Sequence, residues 1–129
     1  MTKAAYLDTS CLVAVAFEEV GHADLADDLG AYSDLFASNL LEAELRAAFV
    51  REDADRGEHY FTWITWVLPD RPLSGEIARV LGTGYGKGAD VWHLATALYL
   101  VEDPGDLPFL TLDARQRKLA RGLGFPTPL

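Results

Sequence analysis

A single cysteine, Cys11, stands among 129 residues. No internal disulfide can form, so a disulfide-stapled secreted scaffold is excluded and a reducing compartment, the cytoplasm, is the expectation. Long apolar runs are missing too: the longest covers residues 11–17, far short of the ~18–20 residues that cross a bilayer. A membrane role is therefore not expected. Lys3, that run and the triplet Ala14-Val15-Ala16 imitate an export leader, but Asp8 interrupts the stretch and Glu18-Glu19 follow it, which argues against one. Internal repeats, low-complexity tracts and linkers are absent. The chain reads as a single domain over residues 1–129, long enough to bury a core without staples.

Basic side chains are scarce, 11 against 20 acidic, for a formal charge of −9. The deficit is uneven. Residues 1–70 carry 4 basic and 14 acidic side chains, residues 71–129 carry 7 and 6. A polyanion cannot be held by the whole surface. Any nucleic-acid contact has to use the C-terminal half, where Arg115, Arg117, Lys118 and Arg121 fall close together; as a pattern, the cluster reads first as a solvated helix face.

What is present is an alternation of short apolar strands with helices. Residues 4–7 form an apolar run ended by Asp8-Thr9-Ser10, a buried strand. Helices follow at 10–17 and 22–29, then a weak strand at 35–38. Residues 39–56 combine good helix formers with Leu41, Leu45, Ala48 and Phe49 at helical spacing, closed by Gly57. Helix is expected to continue over 58–66, with a minimal strand at 67–68 stopped by Pro69 and Pro72 and a helix over 73–81. A buried helix spans 90–101, Asp103-Pro104-Gly105-Asp106 makes a turn, and residues 109–112 form a strand ending at Asp113. A helix over 114–121 stops at Gly122, and residues from 125 onward supply a last short strand. This alternation predicts an α/β fold, a parallel sheet covered by helices on both faces.

The glycine-rich stretch 82–88 suggests a phosphate loop, but its spacing does not. Gly82, Gly84, Gly86 and Gly88 simply alternate, and Lys87 is not followed by Ser or Thr, so neither the Walker nor the dinucleotide pattern is met. A flexible connector is the expectation.

Ligands of open parallel sheets sit beyond the carboxyl ends of the strands. Asp8 and Asp113 are placed there directly, Asp90 opens a buried helix, and Glu42 and Glu44 lie near the start of another. Each can be explained locally: Asp8 and Asp90 as helix caps, Asp113 with Gln116 as a capping box, and the glutamates as surface residues. Taken together they cannot be. Two carboxylates ~5 Å apart repel by roughly 3 kcal/mol at an effective dielectric near ~20, more than a cap returns, so a convergent set requires a cation. Oxygen donors without a second cysteine or a His-x-x-x-His pair point to Mg²⁺ or Mn²⁺ rather than zinc. Such a site offers metal-assisted attack of water on a phosphodiester. Between the two glutamates, Glu42 has Arg46 at i+4 as an ion-pair partner, whereas Glu44 has only alanines, Ala47 and Ala48, at those spacings and is expected to be unpaired.

The segments YLDTSCLV at 6–13, Glu44-Leu45, ADVWHLATAL at 89–98, LTLDAR at 110–115, Leu119-Ala120 and Gly122-Leu123-Gly124, in that order, resemble the PIN-domain family, and in particular its VapC-type toxin ribonucleases. The resemblance spans essentially the whole chain. It implies a three-layer sandwich around a parallel sheet of order 3-2-1-4-5, and a Mg²⁺- or Mn²⁺-dependent endoribonuclease. Asp8, Glu44, Asp90 and Asp113 fall on the family's four acidic positions as catalytic and metal-binding residues, with Ser10 and Thr111 as polar residues that orient carboxylates. It further implies a homodimer partnered by a cognate antitoxin protein, whose C-terminal segment covers the site. The antitoxin's basic charge would suit the acidic surface of this chain, which is otherwise unusual for a protein that grips RNA. His93, one turn after Asp90, matches a histidine expected to be a buried, hydrogen-bonded imidazole. Trp63, Trp66 and Trp92 are expected in core or dimer contacts rather than stacked on bases.

Other α/β readings meet obstacles. A response-regulator receiver needs an acidic pair after its first strand and a lysine after a late one, and the chain has Asp8-Thr9 and Asp113-Ala114-Arg115 there. A haloacid-dehalogenase-like phosphatase needs a second aspartate where Ser10 stands. A PIN fold that binds RNA or protein without turnover remains the alternative.

Overall fold

The computed structural model describes residues 3–54 and 57–129. Its first strand, β1 (Ala4–Leu7), is followed by helices α1 (Thr9–Ala16) and α2 (His22–Gly30), strand β2 (Asp34–Ser38) and helix α3 (Leu40–Arg51). A 3-10 turn (Glu58–Trp63) leads into β3 (Ile64–Val67), and α4 (Ser74–Thr83) and α5 (Gly88–Leu100) come next. A second 3-10 turn (Pro104–Asp106), strand β4 (Phe109–Leu110) and helix α6 (Ala114–Leu123) complete the fold.

The strands pair in parallel in the order β3-β2-β1-β4, with Tyr6 opposite Phe36 on one side and Phe109 on the other. β1 is central and apolar throughout, as a strand covered on both faces must be. Successive side chains leave a strand on opposite faces, so Ala5 and Leu7 join one core with Leu12, Leu29, Leu41 and Leu45 of α1 to α3. Tyr6 joins a second core with Val80, Leu94, Phe109 and Leu119, under α4 to α6. The result is the expected three-layer α/β sandwich.

The differences from expectation have local causes. No fifth strand forms among the described residues: after α6 the chain runs beside β4 and makes one bond to it, Phe109 N to the Pro126 carbonyl at 2.8 Å. Pro126 and Pro128 have no N–H to give a ladder, so the expected order 3-2-1-4-5 shortens to 3-2-1-4. The third strand lies at Ile64–Val67 rather than 67–68, with a 3-10 turn in place of helix before it. Its β-branched and aromatic residues fit a pleated surface. Helix α3 ends at Arg51, ahead of Asp53 at φ 48°; the end of the expected helix, residues 55–56, lies outside the described residues. β4 stops at Leu110. α6 runs on through Gly122 and is closed instead by Gly124, which takes the left-handed conformation at φ 102° that favours glycine. The glycine stretch is not a loose connector: Gly82 and Gly88 belong to helices, Gly86 is buried, and a Cβ at Gly84 or Gly86 would come within 3.0–3.1 Å of Leu119.

Candidate active site

The residue that follows β1 is Asp8, 5% exposed. Its N–H donates to the Leu110 carbonyl at 2.9 Å, fixing it against the end of β4. Asp8 stands at the N-cap of α1 but makes no side-chain cap bond, so the capping explanation fails. Its Oδ2 instead accepts from the hydroxyls of Ser10 at 3.0 Å and Thr111 at 2.7 Å. Ser10 Oγ in turn accepts from Leu112 N–H at 3.0 Å, and Thr111 Oγ1 from Asp113 N–H at 3.1 Å. Each hydroxyl is oriented by a backbone donor so that its proton faces the carboxylate. Arg117 reaches the same turn but spends its Nη2 on the Thr111 carbonyl at 3.2 Å. Cys11, fully buried beside these groups, has its thiol pushed up to about 12 by burial and by the Asp8 charge.

Asp113 does cap α6, its Oδ1 accepting from Gln116 N–H at 2.9 Å. The reciprocal half of a capping box is missing. Gln116 Nε2 donates to the Asp90 carbonyl at 3.0 Å, fastening the first turn of α6 to the first turn of α5. Asp90 is not a cap either, since Lys87 holds that position. Its side chain accepts no hydrogen bond among the described residues. Burial pushes the Asp90 carboxyl up, and the charges of Asp8, Asp113 and Glu44 push it further, with His93 opposing. All four acidic groups therefore share one electrostatic neighbourhood.

Glu42 is partnered as expected, with Arg46 Nε at 2.7 Å, and Arg46 also forks onto Glu58 at 2.7 and 2.8 Å. The expectation that Glu44 is unpaired needs correction. Its Oε1 accepts from Thr9 Oγ1 at 2.7 Å and from His93 Nε2 at 2.8 Å. Spacing within α3 says nothing of α1 and α5, which bring those partners. The hydrogen bond from His93, then that from Thr9, holds the Glu44 carboxyl below its ordinary value. His93 is the expected buried imidazole, 1% exposed. The Tyr6 hydroxyl accepts from Ser38 N–H at 3.0 Å and lies 2.9 Å from His93 Nδ1. Burial pushes the Tyr6 phenol up, so it keeps a proton to donate to Nδ1. With the Tyr6 hydroxyl on Nδ1, the Nε2–H is the group that donates to Glu44. Thr9 and Tyr6 went unnoticed in sequence, although Thr9 sits between two residues singled out there. Trp92 packs at the rim, with Nε1 donating to Ser38 Oγ at 2.9 Å.

One oxygen of each anchored carboxylate is thus used and the other is not. Asp8 Oδ1, Glu44 Oε2, Asp113 Oδ2 and both Asp90 oxygens accept nothing from the described residues, and no Lys or Arg among those residues pairs with any of the four. Hard oxygen donors of this kind suit Mg²⁺ or Mn²⁺. Among the described residues no three His, Cys, Asp or Glu side chains stand close enough to grip one ion. That spacing is compatible with Mg²⁺, which keeps several waters and takes one or two carboxylates.

A parallel α/β sandwich carrying acidic side chains beyond the ends of its central strands is a nuclease-type architecture. The family model of the PIN domain matches residues 5–122, and the chain belongs to the PIN-domain family. No curated protein matches it. No helix among the described residues is long and apolar enough to cross a membrane.

Proposed function

We propose that this PIN-domain protein is a Mg²⁺- or Mn²⁺-dependent endoribonuclease, acting in the cytoplasm as the VapC-type toxin of a toxin–antitoxin pair. In this reading it works as a homodimer held in check by its antitoxin protein. The observation that carries the nuclease reading is the set of free carboxylate oxygens at one end of the sheet with no cationic side chain against them. Asp8, Glu44, Asp90 and Asp113 are the residues that would hold the ion, one or two of them directly and the others through its waters. When bound, it would neutralise phosphodiester charge and lower the pKa of a water for attack at phosphorus.

The protein's own residues divide the remaining work. Ser10 and Thr111 aim the Asp8 carboxylate through their hydroxyls, as hydrogen-bonded neighbours of a ligand do. Thr9 and His93 do the same for Glu44. Asp90, pushed up by burial and then by its acidic neighbours, is suited to accept a proton, because a base improves as its pKa rises toward the working pH.

The test is cleavage of a total RNA pool with end mapping. Cleavage that needs added Mg²⁺ or Mn²⁺ and is lost in an Asp8→Asn, Asp90→Asn double variant is expected; activity surviving in excess chelator rejects the reading. Binding without turnover is the second reading, favoured by the lack of three closely grouped ligands among the described residues, and the same assay separates the two. The toxin role predicts that expression arrests growth of a bacterial host and that the double variant does not.

A further inference from the structure

Between the end of α4, the loop after it and α6, the protein has a cavity of about 560 Å³ lined by Thr83, Tyr85, Arg115, Lys118 and Leu119. Four lysine and arginine side chains among the described residues, Arg79, Lys87, Arg115 and Lys118, make no ion pair, hydrogen bond or ring contact, and two of the four line this cavity. Arg46, Arg51 and Arg71 are each tied to a glutamate, and Lys3 lies over the Tyr32 ring. Arg115 and Lys118 have no ion pair or hydrogen bond with any described residue, in a chain with nearly two carboxylates for every cation. Tyr85, which lines the same cavity, is 74% exposed. The cavity's walls are set close: a Cβ at Gly122 would stand 2.5 Å from Thr83 Cγ2, and Gly84 lies against Leu119. Unpaired guanidinium and ammonium groups in one cavity with an exposed phenol form a chemistry that takes phosphates and a base together.

The cavity is joined rigidly to the carboxylates. Arg115 lies two positions past Asp113, the cap of α6. The loop bearing Tyr85 runs into the turn of α5 that carries Asp90, and Gln116 fastens the two helix starts together. We propose that this cavity is the strand-binding subsite of the enzyme. In it, Arg115 and Lys118 take backbone phosphates of single-stranded RNA next to the scissile bond, and Tyr85 stacks on one base. The inference rests on the nuclease reading for its substrate. It also accounts for how so acidic a molecule can hold RNA, because attraction is concentrated in one groove beside the carboxylates, which themselves repel phosphate.

The experiment measures fluorescence anisotropy of a labelled, mixed-sequence RNA 12-mer on the intact chain carrying Asp8→Asn and Asp90→Asn, so that binding is read without turnover. Each phosphate contact on a single strand contributes about 0.7 to the slope of log affinity against log salt. Adding Arg115→Gln and Lys118→Gln is expected to lower the slope by about 1.4 and weaken binding about 25-fold at 0.1 M relative to 1 M salt. Tyr85→Ala should weaken binding about tenfold and Tyr85→Phe should not. Arg51→Gln with Arg71→Gln, which removes the same charge elsewhere, should leave the slope unchanged. An unaltered slope in the Arg115 and Lys118 variant overturns the subsite, as does a control pair that lowers it equally. Displacement of RNA by poly-glutamate at equal charge concentration overturns it in favour of an acidic-peptide surface. Tight binding in this assay beside a wild type that cleaves nothing would fail the nuclease reading while leaving the strand site standing.

Discussion

Thr111 donates to Asp8 Oδ2 at 2.7 Å across 103 positions of sequence while accepting from Asp113 N–H at 3.1 Å. One buried hydroxyl thereby ties the carboxylate after β1 to the backbone of the residue that caps α6. Thr111→Val keeps the shape and removes both bonds. Leaving a buried carboxylate and an amide short of partners costs about 1–3 kcal/mol, a fall of roughly 3–12 °C in melting temperature for a domain of this size. Thr111→Ser should keep most of the stability. Thermal unfolding of the three proteins side by side checks this; an unchanged valine variant would show that the hydroxyl orients nothing.

The Tyr6 hydroxyl lies between Ser38 N–H and His93 Nδ1. Tyr6→Phe leaves both without that partner in a site closed to water, and a loss of about 1–3 kcal/mol is expected. A packing role alone predicts no more than a small change, because the ring and its stacking on Phe109 at 5.2 Å survive. Imidazole nitrogen shifts in NMR provide the second readout: the tautomer of His93 should become mixed in the phenylalanine variant.

Asp90 and Glu44 move stability in opposite directions with pH. The Asp90 carboxyl is raised above its ordinary 3.8, so the native state holds that proton more tightly than the unfolded chain and stability falls as pH rises through the raised value. Asp90→Asn should therefore melt higher than wild type at pH 7, an advantage that disappears below 3.8. Glu44 is lowered from 4.5. Its contribution is complete above that value and is lost as pH falls through the lowered one. Mg²⁺ should raise the melting temperature of wild type and do little for the Asp8→Asn, Asp90→Asn pair.

Gly122 lies inside α6, where alanine would ordinarily gain about 1 kcal/mol of helix propensity. The added Cβ would meet Thr83 Cγ2 at 2.5 Å, and prising α4 from α6 costs about 1–3 kcal/mol. The clash wins, so Gly122→Ala should destabilise. Thr83→Ser deletes the offending methyl and keeps the hydroxyl that bonds the Arg79 carbonyl, so the double variant should recover most of the loss. Urea unfolding of this four-member cycle gives the coupling directly.

Where single residues and short runs decide the outcome, the sequence was legible. β1 could be read whole because four apolar residues stop at Asp8, and the buried helix around Leu94 because it is apolar on every side. Asp8, Asp90 and Asp113 were picked out because strand and helix ends have to lie at the carboxyl edge of a parallel sheet. Elements governed by neighbours were not legible. The stretch 58–67 mixes aromatic and β-branched residues without a period, and only pairing of Ile64 to Leu35 makes its second half a strand. A fifth strand, expected from residue 125 onward and in the family's sheet order, failed on Pro126 and Pro128. The partners of Glu44 lie on α1 and α5, so no count along α3 could find them.

Burial of Cys11 has a practical consequence. While the domain stays closed, alkylating reagents and peroxides face a protonated sulfur with no route to it, and two molecules cannot be cross-linked through it during oxidative stress. Its rate of modification by a fast thiol reagent is then a clock for spontaneous opening of the layer beneath Asp8. That clock can be read on an unlabelled molecule, with and without whatever ligand steadies the acidic end of the sheet.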